Sequence, residues 1–275
     1  MLDGFDAAAP VSADGADALR EALDAHQLLV IRAPGLTAEA HVSFMQLWGE
    51  PLEENAAERP GQRYGFVSHV RDDGILGDAA YAFHSDHAFM PDPIDVLSLY
   101  AADAPEPAVA TRFANAQLAA AQLPEALRER SSGRRARHII DPAGDPAEHR
   151  VEAPELSADC PHAVHPVLWP HPRTGRDVLF VNAQQTDRIE GLASAESRAL
   201  LDDLFAHLYR ADHLYAHRWR PGDLVVWDNR ALQHARDPLD PDVPRTLRRV
   251  SVGGTPVWKY FAERPGPMMG ERVSG

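Results

Sequence analysis

Cysteine is almost absent: Cys160 stands alone in 275 residues. One thiol cannot close an intrachain disulfide, so a stapled secreted scaffold is excluded, and the Pro- and Asp-containing surroundings of Cys160 read as a loop. Positive charge is also scarce. Against 41 Asp and Glu there are 27 Lys and Arg, a formal net charge of -14, which argues against binding a nucleic-acid backbone because phosphate neutralisation needs concentrated Lys and Arg. The short cluster Arg134-Arg135-Ala136-Arg137 does not reverse that and reads as a solvated loop face. No uncharged apolar run is long enough to span a bilayer, and Met1-Leu2-Asp3-Gly4-Phe5-Asp6 lacks the basic-then-apolar order of a signal peptide. The expectation is a cytoplasmic protein without nucleic-acid or membrane partners.

What is present suits a globular enzyme. With 44% hydrophobic residues and no low-complexity linker, the chain can bury a sizeable core, and residues 1–275 read as a single domain. Apolar residues recur at helical spacing in three places. These are Ala16 to Ala25, Ala38 to Trp48, and Ala195 to Tyr209, where Leu200, Leu201, Leu204, Phe205 and Leu208 form a core-facing stripe. Leu28 to Arg32, Tyr64 to Val70, Val96 to Tyr100, His138 to Ile140, Val178 to Val181 and Leu224 to Trp227 read as strands. Turn signals such as Thr174-Gly175 and Pro221-Gly222 bound them. Many short strands with Pro- and Gly-rich connections predict a mainly β fold with flanking helices, a closed or sandwiched β core. Asp141 to Pro161, acidic and Pro-rich without a period, reads as a long loop suited to act as a lid.

The chemistry concentrates in His84-Ser85-Asp86 and a distant Trp227-Asp228-Asn229-Arg230-Ala231-Leu232-Gln233-His234, followed by Arg245. A histidine and a carboxylate two apart, with a remote histidine, is the donor set of a 2-His-1-carboxylate iron site, which leaves coordination positions open for a co-substrate and oxygen. On a strand, residues i and i+2 share a face, so His84 and Asp86 can turn to one metal while Ser85 packs away from it and His87 takes the opposite parity. His162, His165, His171, His207, His213 and His217 lie in segments that read as structural. His69, on the strand Tyr64 to Val70, is a candidate for the wall of a substrate pocket.

These motifs resemble those of one family, the taurine and 2,4-dichlorophenoxyacetate dioxygenases (TauD/TfdA family). The resemblance runs from Leu28-Leu29-Val30-Ile31-Arg32 and Trp48-Gly49-Glu50, through His165-Pro166-Val167, His171-Pro172-Arg173-Thr174-Gly175-Arg176 and Leu179-Phe180-Val181-Asn182. It continues over Arg218-Trp219-Arg220-Pro221-Gly222-Asp223 into Gln233-His234 and the strand Arg249-Val250-Ser251-Val252. It implies a double-stranded β-helix (jelly-roll) core and an Fe(II)- and 2-oxoglutarate-dependent dioxygenase using O2. The iron ligands implied are His84, Asp86 and His234. Arg245 matches the arginine that holds the distal carboxylate of 2-oxoglutarate, a task suited to a planar fork of donors. Thr111 matches a threonine contacting the same co-substrate, although Ala108-Val109-Ala110 replaces the Gly-Gly-Asp stretch usual before it.

Arg249 matches an arginine that in several members reaches an anionic group of the prime substrate; pairing with an acidic neighbour is the other reading. Arg248, of opposite parity, reads as a solvated surface charge. The reaction implied is hydroxylation of a C–H on a small, anionic organic substrate, with succinate and carbon dioxide as co-products. An intact Asp86 favours hydroxylation over halogenation. Trp48-Gly49-Glu50 is followed by Pro51-Leu52-Glu53-Glu54-Asn55 rather than by the histidine of taurine dioxygenases, which disfavours taurine itself. Two alternatives stay open: an oxygenase of the same class tailoring a natural-product intermediate, by hydroxylation or desaturation, and a non-catalytic metal-binding β-barrel protein. Arg245 has no obvious purpose in the latter. Relatives commonly form dimers or tetramers, so a homo-oligomer is within expectation.

Overall fold

Runs such as Leu224-Val225-Val226-Trp227 are apolar on both faces, and a strand of that kind is stable only when both faces are covered. The computed structural model, which describes residues 2, 4–53, 59–75, 77–104, 108–140, 161–257 and 259, covers them with a second sheet on one side and helices on the other. In chain order the strands are β1 (Leu28–Arg32), β2 (Gly65–Ser68), β3 (Gly74–Ile75), β4 (Tyr81–His84), β5 (Val96–Asp103), β6 (Thr111–Asn115), β7 (Arg135–Ile139), β8 (His162–Pro166), β9 (Leu168–Pro170), β10 (Asp177–Leu179), β11 (Thr186–Ile189), β12 (Leu214–His217), β13 (Asp223–Asp228), β14 (Leu232–Arg236) and β15 (Thr246–Val252). The helices are α1 (Ala13–His26), α2 (Ala38–Met45), α3 (Ala116–Ala121), α4 (Glu125–Ser131) and α5 (Ser194–Leu208).

A six-stranded sheet, ordered β1-β13-β5-β15-β2-β3, faces a four-stranded sheet, ordered β12-β6-β14-β4. Period-2 alternation sorts the side chains. Val30, Leu97, Leu99, Val225, Trp227 and Leu247 of the large sheet meet Phe113 and Leu232 of the small one in a shared core. The opposite face of the large sheet, with Ile31, Val96, Tyr100, Val226, Val250 and Val252, is covered by Leu19 and Leu23 of α1 and Phe44 and Met45 of α2. Each such fully buried Leu, Val or Phe contributes about 1.5–3 kcal/mol. α5, α3 and the small β11-β7-β8 and β10-β9 sheets form a third cluster around Leu200, Leu204, Leu208, Val178 and Phe180. The architecture is therefore mainly β with flanking helices around a jelly-roll core, as expected.

The helices start where capping chemistry allows. Ser12 Oγ accepts from Gly15 N at the start of α1, and Thr37 Oγ1 accepts from Ala40 N at the start of α2. Gly222, in the turn before β13, has φ +81, and a Cβ there would stand 3.0 Å from Pro34 Cα. Both the positive φ and the close approach require glycine.

Four expectations need correction. There are five α-helices among the described residues, not three. α3 and α4 were missed because an alanine run and a seven-residue segment present no amphipathic period; α3 is started by Asn115, whose Oδ1 accepts from Leu118 N. The Arg134 to Arg137 cluster is not a loop face: Arg135 to Arg137 belong to β7, and Arg137 forms a bidentate pair with Asp187. The strand expected over Tyr64 to Val70 is confined to Gly65–Ser68. Arg248 is buried rather than solvated, because β15 lies inside the large sheet and α2 covers its outer face. Its guanidinium donates to Leu36 O at 2.7 Å, Thr37 O at 2.9 Å and His41 Nδ1 at 3.2 Å, and stacks over Tyr100. Cys160 and the expected lid from Asp141 lie outside the described residues, except Pro161 at its end.

Candidate active site

β4 ends at His84, and β14 carries His234 directly across the ladder from it. Their ring centroids are 4.3 Å apart. Nδ1 of His84 lies 2.8 Å from Ala82 O. A carbonyl only accepts, so Nδ1 carries the proton and Nε2 keeps its lone pair.

Asp86 reaches the same point by a different route from the one its spacing suggests. The strand stops at His84, and Asp86 stands in the tight turn that follows, where Ala88 N donates to Ser85 O and His87 adopts φ 60. Ser85 is buried, as expected of a packing residue. The turn is pinned from the far end of β13: Asp86 N donates to Asn229 Oδ1 at 2.9 Å. Asn229 Nδ2 donates back to Asp86 O at 3.0 Å and to Ile94 O at 2.9 Å. Asp86 Oδ1 thereby lies 3.2 Å from His84 Nε2 and 3.9 Å from His234 Nε2.

One donor atom from each of His84, Asp86 and His234 lies within 4.8 Å of the others. Two imidazole nitrogens and one carboxylate oxygen, all converging, suit a first-row divalent cation. Burial, reinforced by His84, pushes His234 down to about 3. Burial alone would raise Asp86, but Arg249, with His234 and His84, holds it well below the usual carboxylate range. The site thus favours a neutral His234 ring and an ionised Asp86 carboxylate, the states that a cation requires.

The surrounding motif residues brace this triad. Asp228 Oδ1 accepts from Arg230 N and Ala231 N, turning the chain from β13 into β14, while Asp228 Oδ2 pairs with His171 at 2.9 Å and with Arg173. Gln233 Nε2 donates to Val181 O, and its Oε1 accepts from Tyr209 Oη. Trp227 packs edge-on against His234, centroids 5.1 Å apart. Two other histidines are spent on the fold: His165 donates to Ala88 O and Met90 O, and His207 to Ala119 O.

Next to the triad, Thr111 and Arg245 share a cavity with His84, His234, Val67, Tyr81, Leu99 and Arg236. Arg245 Nη2 donates to Thr111 Oγ1 at 3.4 Å, and the same oxygen accepts from Trp219 Nε1 at 3.0 Å. Nε and Nη1 of Arg245 are buried and have no hydrogen-bond partner among the described residues. Burial, with Arg236 adding repulsion, lowers this guanidinium to about 9. A buried cation with donors to spare has the chemistry of a carboxylate receptor.

Arg249 is turned elsewhere. Its Nη2 is 2.9 Å from Asp86 Oδ2, so the acidic neighbour that it pairs with belongs to the triad itself. His69 follows the last β2–β15 register pair, Ser68 with Thr246, as Arg245 precedes it. Both ring nitrogens of His69 are buried without a partner among the described residues, yet His69 is not among the walls of the cavity holding Arg245. Arg236, Asn229 and Trp219 complete the site and carried no assigned role in the sequence reading. Arg236 could have been found only from the strand register, since nothing local distinguishes it.

Residues 2–251 match the model of the "Taurine catabolism dioxygenase TauD, TfdA family". The chain belongs to the TauD/TfdA family. Pentalenolactone F synthase of Streptomyces arenae is 30% identical over 262 residues, covering 88% of each chain. The alpha-ketoglutarate-dependent 2,4-dichlorophenoxyacetate dioxygenase of Cupriavidus pinatubonensis is 30% identical, over 84% of this chain and 85% of its own. A crystal structure of a taurine dioxygenase from Burkholderia xenovorans superimposes with a TM-score of 0.76 at 26% identity, covering 92% of this chain and 86% of that one. As a TauD/TfdA dioxygenase the protein is an oxidoreductase, of a class that uses 2-oxoglutarate and O2. No helix among the described residues is long and apolar enough to cross a membrane.

Proposed function

We propose that this TauD/TfdA dioxygenase is an Fe(II)- and 2-oxoglutarate-dependent hydroxylase of a small, anionic organic molecule, carried by one domain and releasing succinate and carbon dioxide. The observation that carries the reading is the placement of buried Arg245, with unused donors, in one cavity with the rings of His84 and His234. A purely structural metal site has no use for such a cation.

His84 Nε2, Asp86 Oδ1 and His234 are the groups that would hold the metal. Bound Fe(II) supplies open coordination positions and the redox chemistry that couples oxygen use to decarboxylation. The protein's own contribution is orientation and exclusion of water. Ala82 O fixes the His84 tautomer, and Asn229 fixes the turn bearing Asp86. Arg245 takes the distal carboxylate of 2-oxoglutarate through a planar fork, and the Thr111 hydroxyl, already accepting from Trp219, has its proton to donate to the same group. Leu99 and Val67 wall the cavity with apolar surface, which strengthens these charge contacts by excluding solvent.

Arg249 is the group proposed for an anion on the prime substrate, shared with Asp86, and His69 is proposed further along the same wall. A second reading is supported by the similarity to pentalenolactone F synthase: tailoring of a natural-product intermediate that need not be a free acid, with Arg249 committed to Asp86. Cytoplasmic location and assembly as a dimer or tetramer belong to the same proposal; size-exclusion chromatography with light scattering tests the latter.

The test is anaerobic titration of apoprotein with Fe(II) and then 2-oxoglutarate, following the visible charge-transfer band of the chelate. The band is expected in wild type, absent in His84→Ala, and shifted to much higher 2-oxoglutarate in Arg245→Ala. No band in folded, iron-loaded wild type would leave the metal-binding, non-catalytic protein as the better reading.

A further inference from the structure

The turn that carries Asp86 is held against its own preferences. Ala88 N donates to Ser85 O at 3.2 Å and Met90 N to His87 O at 2.8 Å. Between them His87 takes φ 60, a left-handed backbone that a residue with a side chain keeps only where its surroundings impose it. Ser85 O and His87 O are thus used inside the turn. Ala88 O and Met90 O have no backbone donor among the described residues, although both residues are fully buried, and a buried carbonyl needs a partner.

His165 supplies that partner to both. Its Nε2 stands 3.0 Å from Ala88 O and 3.0 Å from Met90 O. Burial lowers the pKa of the ring, so the one proton it holds at neutral pH is shared between the two carbonyls. His165 belongs to β8, outside both large sheets, and therefore reaches the turn from a separate part of the fold. The ring is itself braced: Trp169 of β9 stacks on it with centroids 4.7 Å apart and planes 13° apart, and Phe180 meets it edge-on at 5.3 Å. The Arg230 guanidinium lies 5.2 Å from the centre of the Trp169 ring. It grips the rest of the same segment, donating to Pro93 O at 3.0 Å, Asp92 Oδ1 at 2.8 Å and Asp95 Oδ1 at 2.5 Å. Trp169 thus joins two clamps on the segment from Ala88 to Asp95, while Asn229 fastens Asp86 at its start.

We propose that His165 is a positioning residue of the metal site: by holding Ala88 O and Met90 O it fixes the turn in the shape that aims Asp86 Oδ1 at the rings of His84 and His234, with Trp169 as its backing plate. The inference rests on the reading of His84, Asp86 and His234 as ligands of a divalent cation. Groups that orient metal ligands from behind change metal affinity by about tenfold to hundredfold. His165 acts one step further back, through the backbone, so about tenfold is the loss it carries. A residue serving the fold alone would change stability and leave the metal affinity of the folded protein where it was.

The experiment is calorimetric titration of apoprotein with Mn(II), at a temperature where circular dichroism shows each protein folded, for wild type, His165→Phe, His165→Gln, Trp169→Leu and His84→Ala. His165→Phe keeps a ring for the stack and loses the donor, and about tenfold weaker Mn(II) binding is expected. His165→Gln, which restores an N–H, is expected to recover most of that loss, and Trp169→Leu to bind Mn(II) severalfold more weakly than wild type. If His165→Phe does not fold, Trp169→Leu is read alone by the same measure. Wild-type affinity in folded His165→Phe, or in Trp169→Leu where it alone is read, would make His165 a packing residue whatever the fall in Tm, and would overturn the inference. A loss that His165→Gln does not reduce would overturn it too. In those cases Mn(II) binding by wild type and its absence in His84→Ala would still stand for the triad as the metal site, whereas no binding by wild type, or undiminished binding by His84→Ala, would sink that reading itself.

Discussion

Asp86 offers its two carboxylate oxygens to two different tasks: Oδ1 faces the rings of His84 and His234, and Oδ2 is 2.9 Å from Nη2 of Arg249. Arg249 is therefore the counter-charge of the triad before any cation arrives. Removing it leaves a largely buried carboxylate unpaired, and Arg249→Ala is expected to lose about 2 kcal/mol of metal-free stability. A divalent cation then takes over the pairing, so the rise in Tm on adding Mn(II) is expected to be larger in the variant than in wild type. Paired thermal melts decide it; a smaller rise would mean that Arg249 chiefly orients Asp86 for the metal.

Metal itself should stabilise the fold through the triad. At about a hundred times its Kd, a ligand specific to the native state adds about 2.7 kcal/mol, which for a chain of this size is a rise of roughly 5–10 °C in Tm. Chelation is expected to remove that rise in wild type. His84→Ala should show none, as differential scanning calorimetry with and without chelator would reveal.

On the proposed 2-oxoglutarate reading, Trp219 would act on the co-substrate through Thr111. Trp219→Phe removes the donor held at 3.0 Å from Thr111 Oγ1, freeing the hydroxyl to rotate. A neutral hydrogen bond of this kind contributes about 1 kcal/mol, so KM for 2-oxoglutarate is expected to rise roughly fivefold with kcat little changed. A fall in kcat with unchanged KM would place Trp219 outside co-substrate binding.

Arg248 illustrates what could and could not be read from the chain. Parity separated it from Arg249 correctly, but the inference of solvent on its side assumed an uncovered sheet, and only the packing of α2 shows otherwise. The triad was legible because histidine and carboxylate spacing survives even when the geometry differs. Asp86 comes from a turn, held by Asn229, and not from the strand alternation that first suggested it. The place of Arg236 in the cavity wall was illegible because it follows from its register opposite Thr111, which no local pattern records. Arg248→Ala strips donors from Leu36 O, Thr37 O and His41 Nδ1. It is expected to cost about 3 kcal/mol in urea unfolding, with 2-oxoglutarate affinity unchanged in the folded fraction.

His41 gives stability a pH dependence. It is fully buried between Ser98 and Arg248, and burial, with Arg248 adding repulsion, lowers its pKa well below 6.5. The unfolded chain takes a proton on this ring near pH 6.5 while the native one does not, so native stability declines as pH falls below about 6.5. The slope for one such group is at most about 1.4 kcal/mol per pH unit. Relative to wild type, His41→Gln should lose less stability between pH 7 and pH 5, seen as a smaller drop in urea midpoint. Equal drops would show that His41 takes up a proton equally in the native and the unfolded chain.

The triad grows from the four-stranded sheet, through β4, the turn after it and β14, whereas Arg245 and Arg249 flank or belong to β15 of the six-stranded sheet. A dicarboxylate bound at one end to a cation on the triad and at the other to Arg245 would work as a rivet through two plates. Its binding would then tie β14 of one sheet to β15 of the other, and slower hydrogen exchange of the amides on those two strands would report it.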